Sequence, residues 1–173
     1  MPANLPVRKH CRLKEYDYSQ NGKYFITICS FKRKNIFSDI VGAIHESPEV
    51  KLKPCGKIAD NVIKQLEDRF QIVVDNYVIM PNHIHLIISI ENQGIMRAIP
   101  ESPLQGRSLI SKIVGYLKMN VSKEIHKIQS DENIWQRSFY DHIIRNEQDF
   151  KKYWDYTLKN PYTWKSDKLY IDK

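Results

Sequence analysis

Residues 72–90 contain two apolar, β-branched runs with a two-residue break between them. The runs are IVVDNYVIM (72–80) and HIHLIISI (83–90), and Pro81-Asn82 separates them. Runs rich in Val, Ile and Tyr that flank a Pro-Asn pair are typical of two strands joined by a turn. The segment therefore predicts a β-hairpin, and this hairpin limits the folds that the rest of the chain can complete.

Strand and helix patterns alternate on both sides of the hairpin. The predicted strands are YFITICSF (24–31) and FYDHIIR (139–145), and the predicted amphipathic helices are GKIADNVIKQLEDRF (56–70), SLISKIVGYLKMNVSKEIHKI (108–128) and EQDFKKYWDYTLKN (147–160). Residues 32–55 are mixed and turn-rich. The order β-α-β-β-α-β, followed by one more helix, predicts an α+β protein with a ferredoxin-like antiparallel sheet and two helices on one face.

The length and the cysteines limit the class of protein. A chain of 173 residues suits one domain, and we expect a basic N-terminal arm over 1–23 followed by a single domain over 24–173. The sequence contains no run of about 18 apolar residues, so we expect no membrane span. The N-terminus lacks the apolar region of a secretory signal. Cys11, Cys29 and Cys55 form no CxxC pair. This pattern favours a reducing, cytoplasmic setting over a cysteine zinc site.

The positive charge is concentrated at the two ends of the sequence. The net charge is +7, and residues 1–35 carry eight Lys or Arg against two acids. Residues 36–104 carry more acids than bases, whereas residues 105–173 carry thirteen bases against nine acids. This distribution suits a polyanion that contacts the arm and the C-terminal third, although a solvated basic surface explains the charge equally well.

Two histidines lie two residues apart in the apolar run 83–90. Alternation along a strand places His83 and His85 on one face, while Ile84, Leu86, Ile88 and Ile90 point to the other face and into the core. Two residues of strand rise separate the histidine Cα atoms by about 7 Å, so both imidazoles can converge on one divalent ion. The alternative is a hydrogen-bonded structural pair. We favour metal binding, at a strand end that stays open to substrate.

The third predicted helix carries a tyrosine away from its apolar stripe. The expected buried stripe comprises Phe150, Trp154 and Leu158, flanked by Tyr153 and Thr157. Tyr156 lies off this stripe, and Asn160 is one turn further along the same face. A phenol that attacks phosphorus beside a metal ion is a coherent chemistry, and Asn160 could add an oxygen ligand. The alternative for Tyr156 is an ordinary surface tyrosine.

Three stretches together resemble a known family. VIMPNHIHLIISI (78–90) resembles the histidine–hydrophobic–histidine motif of HUH endonucleases. IWQRSFYDHIIRN (134–146) and WDYTLKNP (154–161) resemble the single-tyrosine transposases of small bacterial insertion sequences, in particular the REP-associated tyrosine transposases. The early stretch RLKEYDYSQNGKYFITIC (12–29) is similar to the same group. The resemblance covers roughly the whole chain, with the motifs in the family's order.

The resemblance implies a metal-dependent DNA strand transferase. The resemblance implies that His83, His85 and Asn160 bind Mg²⁺ or Mn²⁺. It also implies that Tyr156 attacks a single-stranded DNA phosphate, which leaves a 5′-phosphotyrosine link and a free 3′-OH. A second 3′-OH then reverses the step without ATP. The family recognises hairpin DNA ends, as monomers or as dimers with shared active sites. Relatives vary at the third metal ligand, so the family motif supports the assignment of Asn160 less than that of the two histidines.

Several polar residues are candidates for DNA contacts under this resemblance. They are Arg8, Lys9, Arg12, Lys14, Lys32, Arg33 and Lys34 for phosphates, and Gln136, Arg137 and Arg145 in the family-like segment. Each could equally be a solvated surface residue, and we expect His142 to pack in the sheet. Two-histidine phosphodiesterases need a second His-x-Ser/Thr motif, which the chain lacks. The remaining alternative is a catalytically idle, hairpin-DNA-binding regulator descended from such a transposase.

Overall fold

The computed structural model describes residues 21–42, 48–91, 108–129 and 133–171. The strands are β1 (Gly22–Cys29), β2 (Ser38–Val41), β3 (Glu49–Leu52), β4 (Val73–Ile79), β5 (His83–Ile90) and β6 (Tyr140–Ile144). The helices are α1 (Pro54–Lys64), α2 (Leu66–Phe70), α3 (Leu109–Ile125) and α4 (Glu147–Lys159), with 3₁₀ turns at Phe31–Arg33 and Trp164–Ser166. None of the helices in these ranges is long and apolar enough to cross a membrane.

The main sheet has four strands in the order β4-β5-β1-β6, and all neighbours are antiparallel. The predicted hairpin is the β4–β5 pair, and β1 pairs with β5 along its whole length, from Gly22 opposite Ile90 to Cys29 opposite His83. With α1 before β4 and α3 before β6, the main sheet and its helices have the predicted β-α-β-β-α-β order, and α4 follows β6. The expectation of an α+β, ferredoxin-like fold is confirmed.

The two faces of the sheet bury different layers. Alternate residues of β1 and β5, among them Ile26, Ile28 and Leu86, lie in the large core with α1 and α3. Their sequence neighbours on the opposite face include Phe25 and Ile87, which pack with the aromatic side chains of α4. The predicted division of β5 into histidine and core faces is therefore confirmed. Each fully buried Ile or Leu contributes about 1.5–3 kcal/mol, so the register of β5 is strongly fixed.

Two stretches differ from the prediction. Residues 32–55, expected to be irregular, include the β2–β3 hairpin, in which Ser38 pairs with Leu52. These four-residue strands are too short and too exposed to give a clear alternation. The helix predicted over 56–70 begins earlier, at Pro54, and is interrupted at Gln65. Pro54 stands in the first turn, where proline suits a helix start.

The buried stripe of α4 is rotated from its predicted position. Thr157 is 1% exposed, whereas Leu158, which was predicted to be buried, is 53% exposed. Phe25 on the sheet contacts Tyr153, with ring centroids 4.5 Å apart. This contact and the burial of Thr157 place the Tyr153–Thr157 edge of the helix against the sheet, with Trp154 packed beside it and Leu158 left exposed. The prediction for Leu158 was wrong because helical periodicity alone does not reveal the side chains of the opposing sheet.

Gly56 and Gly115 provide a matched pair of substitutions. A Cβ atom at Gly56 would overlap the backbone carbonyl of Phe37, whereas one at Gly115 in α3 meets nothing within 4 Å. The carbonyl oxygen of Phe37 also accepts a hydrogen bond from Lys53 N (2.9 Å), so it cannot move freely. We expect Gly56→Ala to lower the free energy of unfolding by about 1–3 kcal/mol or more. Gly115→Ala should raise it by about 0.5–1 kcal/mol.

Urea denaturation of both glycine variants measures this difference. If Gly56→Ala were as stable as the wild type, the prediction would be contradicted, and α1 would be able to move away from Phe37.

Candidate active site

The two histidines meet at the start of β5. His83 and His85 are 0% and 2% exposed, and their Nε2 atoms lie 3.0 Å apart. The predicted convergence of the two imidazoles is present. The expectation of an open strand end is only partly met, because the rings are covered and the site opens along one side.

Each imidazole uses its outer nitrogen for a hydrogen bond. His83 Nδ1 lies 2.8 Å from Asn82 Oδ1, and His85 Nδ1 lies 2.9 Å from Thr27 Oγ1. The amide oxygen of Asn82 can only accept, so His83 carries its proton on Nδ1 and turns the Nε2 lone pair inwards. The hydroxyl of Thr27 suits either tautomer of His85. Metal-binding histidines are usually oriented by outer hydrogen bonds of this kind.

A carboxylate that sequence reasoning missed completes the cluster. After α4 the chain passes through the Trp164–Ser166 turn, and Asp167 returns to the histidines. Ligand atoms of His83, His85 and Asp167 all lie within 4.8 Å of one another. Asp167 belongs to no periodic pattern or motif, so the fold alone reveals it.

The predicted nucleophile and third ligand both contact this carboxylate. Tyr156 donates its hydroxyl proton to Asp167 Oδ2 (2.9 Å), and Asn160 Nδ2 donates to the same oxygen (2.8 Å). The Tyr156 ring lies against His85, with centroids 5.1 Å apart. Tyr156 is 40% exposed and Asn160 is fully buried. Four residues predicted from two distant segments are thus brought together by one side chain.

The donor set fits a divalent cation. Asn160 Oδ1 is buried and has no hydrogen-bond partner, and such an atom requires an explanation. Two imidazole nitrogens, an amide oxygen and a carboxylate are suitable ligands for Mg²⁺, Mn²⁺ and related ions. A cation held by Asn160 would satisfy the orphaned oxygen.

Burial controls the protonation of the site. It lowers the pKa of His83 to about 4, although the nearby charge of Asp167 acts in the opposite direction, and it lowers the pKa of His85 well below its ordinary value. Both rings are therefore neutral at pH 7, which is the form that binds metal. Burial, and then the hydrogen bond and charge of Asp167, raise the pKa of Tyr156. The phenol is protonated at neutral pH.

The buried histidines predict loss of stability in acid. The unfolded chain protonates His83 near pH 6.5, whereas the folded chain does so near pH 4. Between these values the unfolded state binds more protons, so the free energy of unfolding falls as the pH drops. We expect His83 alone to account for a loss on the order of 3 kcal/mol by pH 4.

Urea denaturation with a chelator, at pH 7 and at about pH 4.5, measures this loss. Because carboxylates also titrate there, the comparison is with His83→Gln, which should lose less stability between the two pH values. Equal losses in both proteins would contradict the assignment.

A cleft of about 860 Å³ opens beside Tyr156. Its walls come from β1, residues 136–140, α4 and the chain after α4, and include Phe25, His85, Gln136, Phe139, Tyr140, Lys152, Tyr153, Tyr156, Asp167 and Lys168. Tyr140 is 52% exposed. Lys118, which the sequence did not single out, supports one wall by donating from Nζ to the carbonyl oxygens of Gln136 (2.6 Å) and Ser138 (2.8 Å).

The predicted DNA contacts occupy different places. Arg33 lies near the site and donates from Nη1 to Lys168 O (3.2 Å). Lys32 and Arg33 have left-handed φ angles of 52° and 54°, which cost energy in residues with a side chain. Of the other predicted contacts, Lys32, Lys34, Arg137 and Arg145 are exposed, whereas Arg8, Lys9, Arg12 and Lys14 lie outside the described residues.

We expected His142 to pack in the sheet, and its side chain also pairs with a carboxylate. Its ring lies against Tyr153, and Nε2 is 2.8 Å from Asp149 Oδ2. The side chain is part-buried.

The chain is similar to two proteins of one bacterium. No family model matches it. A Haemophilus influenzae protein described as "Uncharacterized protein" is 33% identical over 183 aligned positions, covering 98% of this chain and 97% of that protein. A second H. influenzae protein, "Putative REP-associated tyrosine transposase", is 24% identical over 156 positions, covering 84% of this chain and 73% of that protein.

A solved structure shares the fold. It is a REP-associated tyrosine transposase bound to a REP hairpin, with a TM-score of 0.61 and 19% identity over 88% of this chain and 73% of that one. The motif order, the fold and these relatives agree. The chain is therefore similar to REP-associated tyrosine transposases in sequence, through the second relative, and in fold, through the solved structure.

Proposed function

We propose that the protein is a metal-dependent single-strand DNA endonuclease and strand transferase. It cleaves hairpin-flanked DNA through a 5′-phosphotyrosine intermediate and rejoins the DNA by transesterification. The observation that carries the proposal is the meeting of the Tyr156 hydroxyl, two neutral imidazoles and an unpartnered amide oxygen beside one open cleft. The REP hairpin bound to the transposase of similar fold supports hairpin DNA as the substrate class.

His83, His85 and Asn160 hold the cation, Mg²⁺ or Mn²⁺. When bound, it stabilises the charge that develops on the phosphate oxygens. The chain itself fixes the geometry of the site. Asn82 and Thr27 orient the two rings, and α4 keeps Asn160 one turn beyond Tyr156. These contacts place the nucleophile and the ligands before substrate arrives, which lowers the cost of ordering them during the reaction.

The cleavage step exchanges one phosphodiester bond for another. Tyr156 Oη forms a bond to phosphorus while the bond from phosphorus to the 3′-oxygen breaks. The phenol proton passes to the carboxylate of Asp167, which already accepts its hydrogen bond, and the departing 3′-oxygen takes a proton from solvent. In the rejoining step a 3′-OH attacks phosphorus, its proton is released, and Tyr156 leaves and recovers a proton. Because the pKa of Tyr156 is raised, the phenol still carries its proton when it attacks, and the Asp167 carboxylate serves as the general base that accepts this proton.

The cleft provides a path for an unpaired strand. The exposed ring of Tyr140 and the side chain of Phe139 offer surfaces on which a base can stack. Lys152 and Lys168 are charges that can contact phosphates without reading sequence. The nucleotide next to the scissile phosphate therefore lies between residues 136–140 and α4.

A covalent-adduct assay tests the proposal. Labelled hairpin oligonucleotides, drawn from the DNA flanking the gene of this protein, are incubated with protein and Mn²⁺ or Mg²⁺, and with EDTA as control. We expect a metal-dependent adduct on a denaturing gel, with the label on the peptide that contains Tyr156. Hairpin binding with no adduct in either metal would instead favour the idle DNA-binding regulator.

A further inference from the structure

We propose that Asp167 is itself a ligand of the cation, so that the chain after α4 completes the metal site. The inference rests on the proposed function but assigns a residue that the motif does not supply. The motif places ligands on β5 and α4. Asp167 comes from neither, and its carboxylate lies within 4.8 Å of the ligand nitrogens of His83 and His85.

Charge is the first argument. His83, His85 and Asn160 bind a cation as neutral donors, because an imidazole coordinates through its unprotonated nitrogen and an amide through its oxygen. A divalent cation in this buried position would then be held without any compensating negative charge, which is unfavourable in a medium of low dielectric constant. Asp167 is the carboxylate among the described residues that reaches both rings. Carboxylate oxygen is also a ligand that Mg²⁺ and Mn²⁺ favour.

Support of the carboxylate is the second argument. Leu169 N donates to Asp167 Oδ1 (2.6 Å), and the carbonyl of Leu169 accepts from Asn82 Nδ2 (2.8 Å). Asn82 holds His83 with its other amide atom. One side chain therefore fixes both a histidine and the turn that carries Asp167. The bond from Leu169 N is a common turn contact of an aspartate, whereas the link through Asn82 ties this turn to a histidine of the cluster, as expected around a metal ligand.

The position of the nucleophile is the third argument. Asp167 Oδ2 accepts hydrogen bonds from Tyr156 and Asn160. A carboxylate that binds the cation and also accepts from the phenol sets the distance between the ion and the attacking oxygen. Asp167 is then a positioning residue for Tyr156 as well as a ligand.

Metal binding measured without DNA separates this inference from the proposed function. The first measurement is Mn²⁺ affinity, from the electron paramagnetic resonance signal of free Mn²⁺. We expect Asp167→Asn to weaken binding by at least about tenfold. Asp155→Asn on the outer part of α4, where Asp155 lies near Lys159 (3.9 Å) and outside the cluster, should bind as the wild type does. Unchanged affinity in Asp167→Asn overturns the inference, whatever the adduct assay shows.

A second measurement distinguishes a ligand from a supporting residue. Asp167→Cys places a soft thiolate at the same position, and a thiolate that binds Cd²⁺ gives a new ultraviolet charge-transfer absorbance. We expect this absorbance in Asp167→Cys, and not in the wild type, which retains Cys29 near the site, or in Asp155→Cys. Its absence from a folded Asp167→Cys protein, as judged by circular dichroism, overturns direct ligation. Failure of the wild type to bind Mn²⁺ or Cd²⁺ overturns both proposals.

Discussion

Tyr156→Phe is expected to abolish the covalent protein–DNA adduct while leaving hairpin binding intact. Removing the nucleophile of an enzyme that forms a covalent intermediate lowers its rate by at least about 10⁴-fold. The phenylalanine ring can keep the contacts of Tyr156 with His85 and Phe25, at centroid distances of 5.1 and 5.9 Å. The hydrogen bond from the phenol to Asp167 is lost. Single-turnover adduct formation on a denaturing gel, with a gel-shift assay for binding, measures the two effects separately.

Two other tyrosines of the same region serve as controls. Tyr153 lines the same cleft but packs against Phe25, and Tyr162 is 61% exposed. Tyr153→Phe and Tyr162→Phe should both form the adduct. Loss of the adduct in Tyr153→Phe, with its retention in Tyr156→Phe, would move the nucleophile one turn back along α4 and contradict the proposal.

Local patterns were sufficient to predict the fold and part of the candidate site. Strand alternation placed His83 and His85 on the face opposite Leu86, and the structure confirms this arrangement. Helical spacing placed Tyr156 and Asn160 on one side of α4, and both contact the same carboxylate. These predictions succeeded because each depends on the direction of side chains within a single element, which the backbone geometry determines.

Contacts between distant segments were not predictable in the same way. Asp167 meets His83 only because the chain turns back after α4, and no spacing in the sequence encodes that return. Lys118 belongs to α3, but its role depends on the carbonyls of residues 136–138. The error at Leu158 has the same origin, since the orientation of α4 depends on the rings of Phe25 and His85 in the sheet. Sequence periodicity identifies an apolar side of a helix but not the surface that the helix will cover.

His85→Gln is expected to weaken Mn²⁺ binding by at least about 100-fold and to remove metal-dependent adduct formation. Loss of a supporting partner of a ligand already costs about 10–100-fold, so loss of a ligand should cost at least as much. Glutamine keeps a polar group in the space next to Thr27. His142→Gln is the matched control, because His142 pairs with Asp149 outside the cluster. It should bind Mn²⁺ as the wild type does.

The same histidine variant provides an independent test through protonation. In the absence of metal, His85→Gln removes a buried ring whose pKa lies well below 6.5. The variant should therefore lose less stability than the wild type as the pH falls below 6.5. A protein that shows this reduced acid sensitivity but still binds Mn²⁺ normally would contain His85 as a buried structural residue. In that case the histidine pair would be the hydrogen-bonded alternative to a metal site, and the proposed cleavage mechanism would need another source of charge stabilisation.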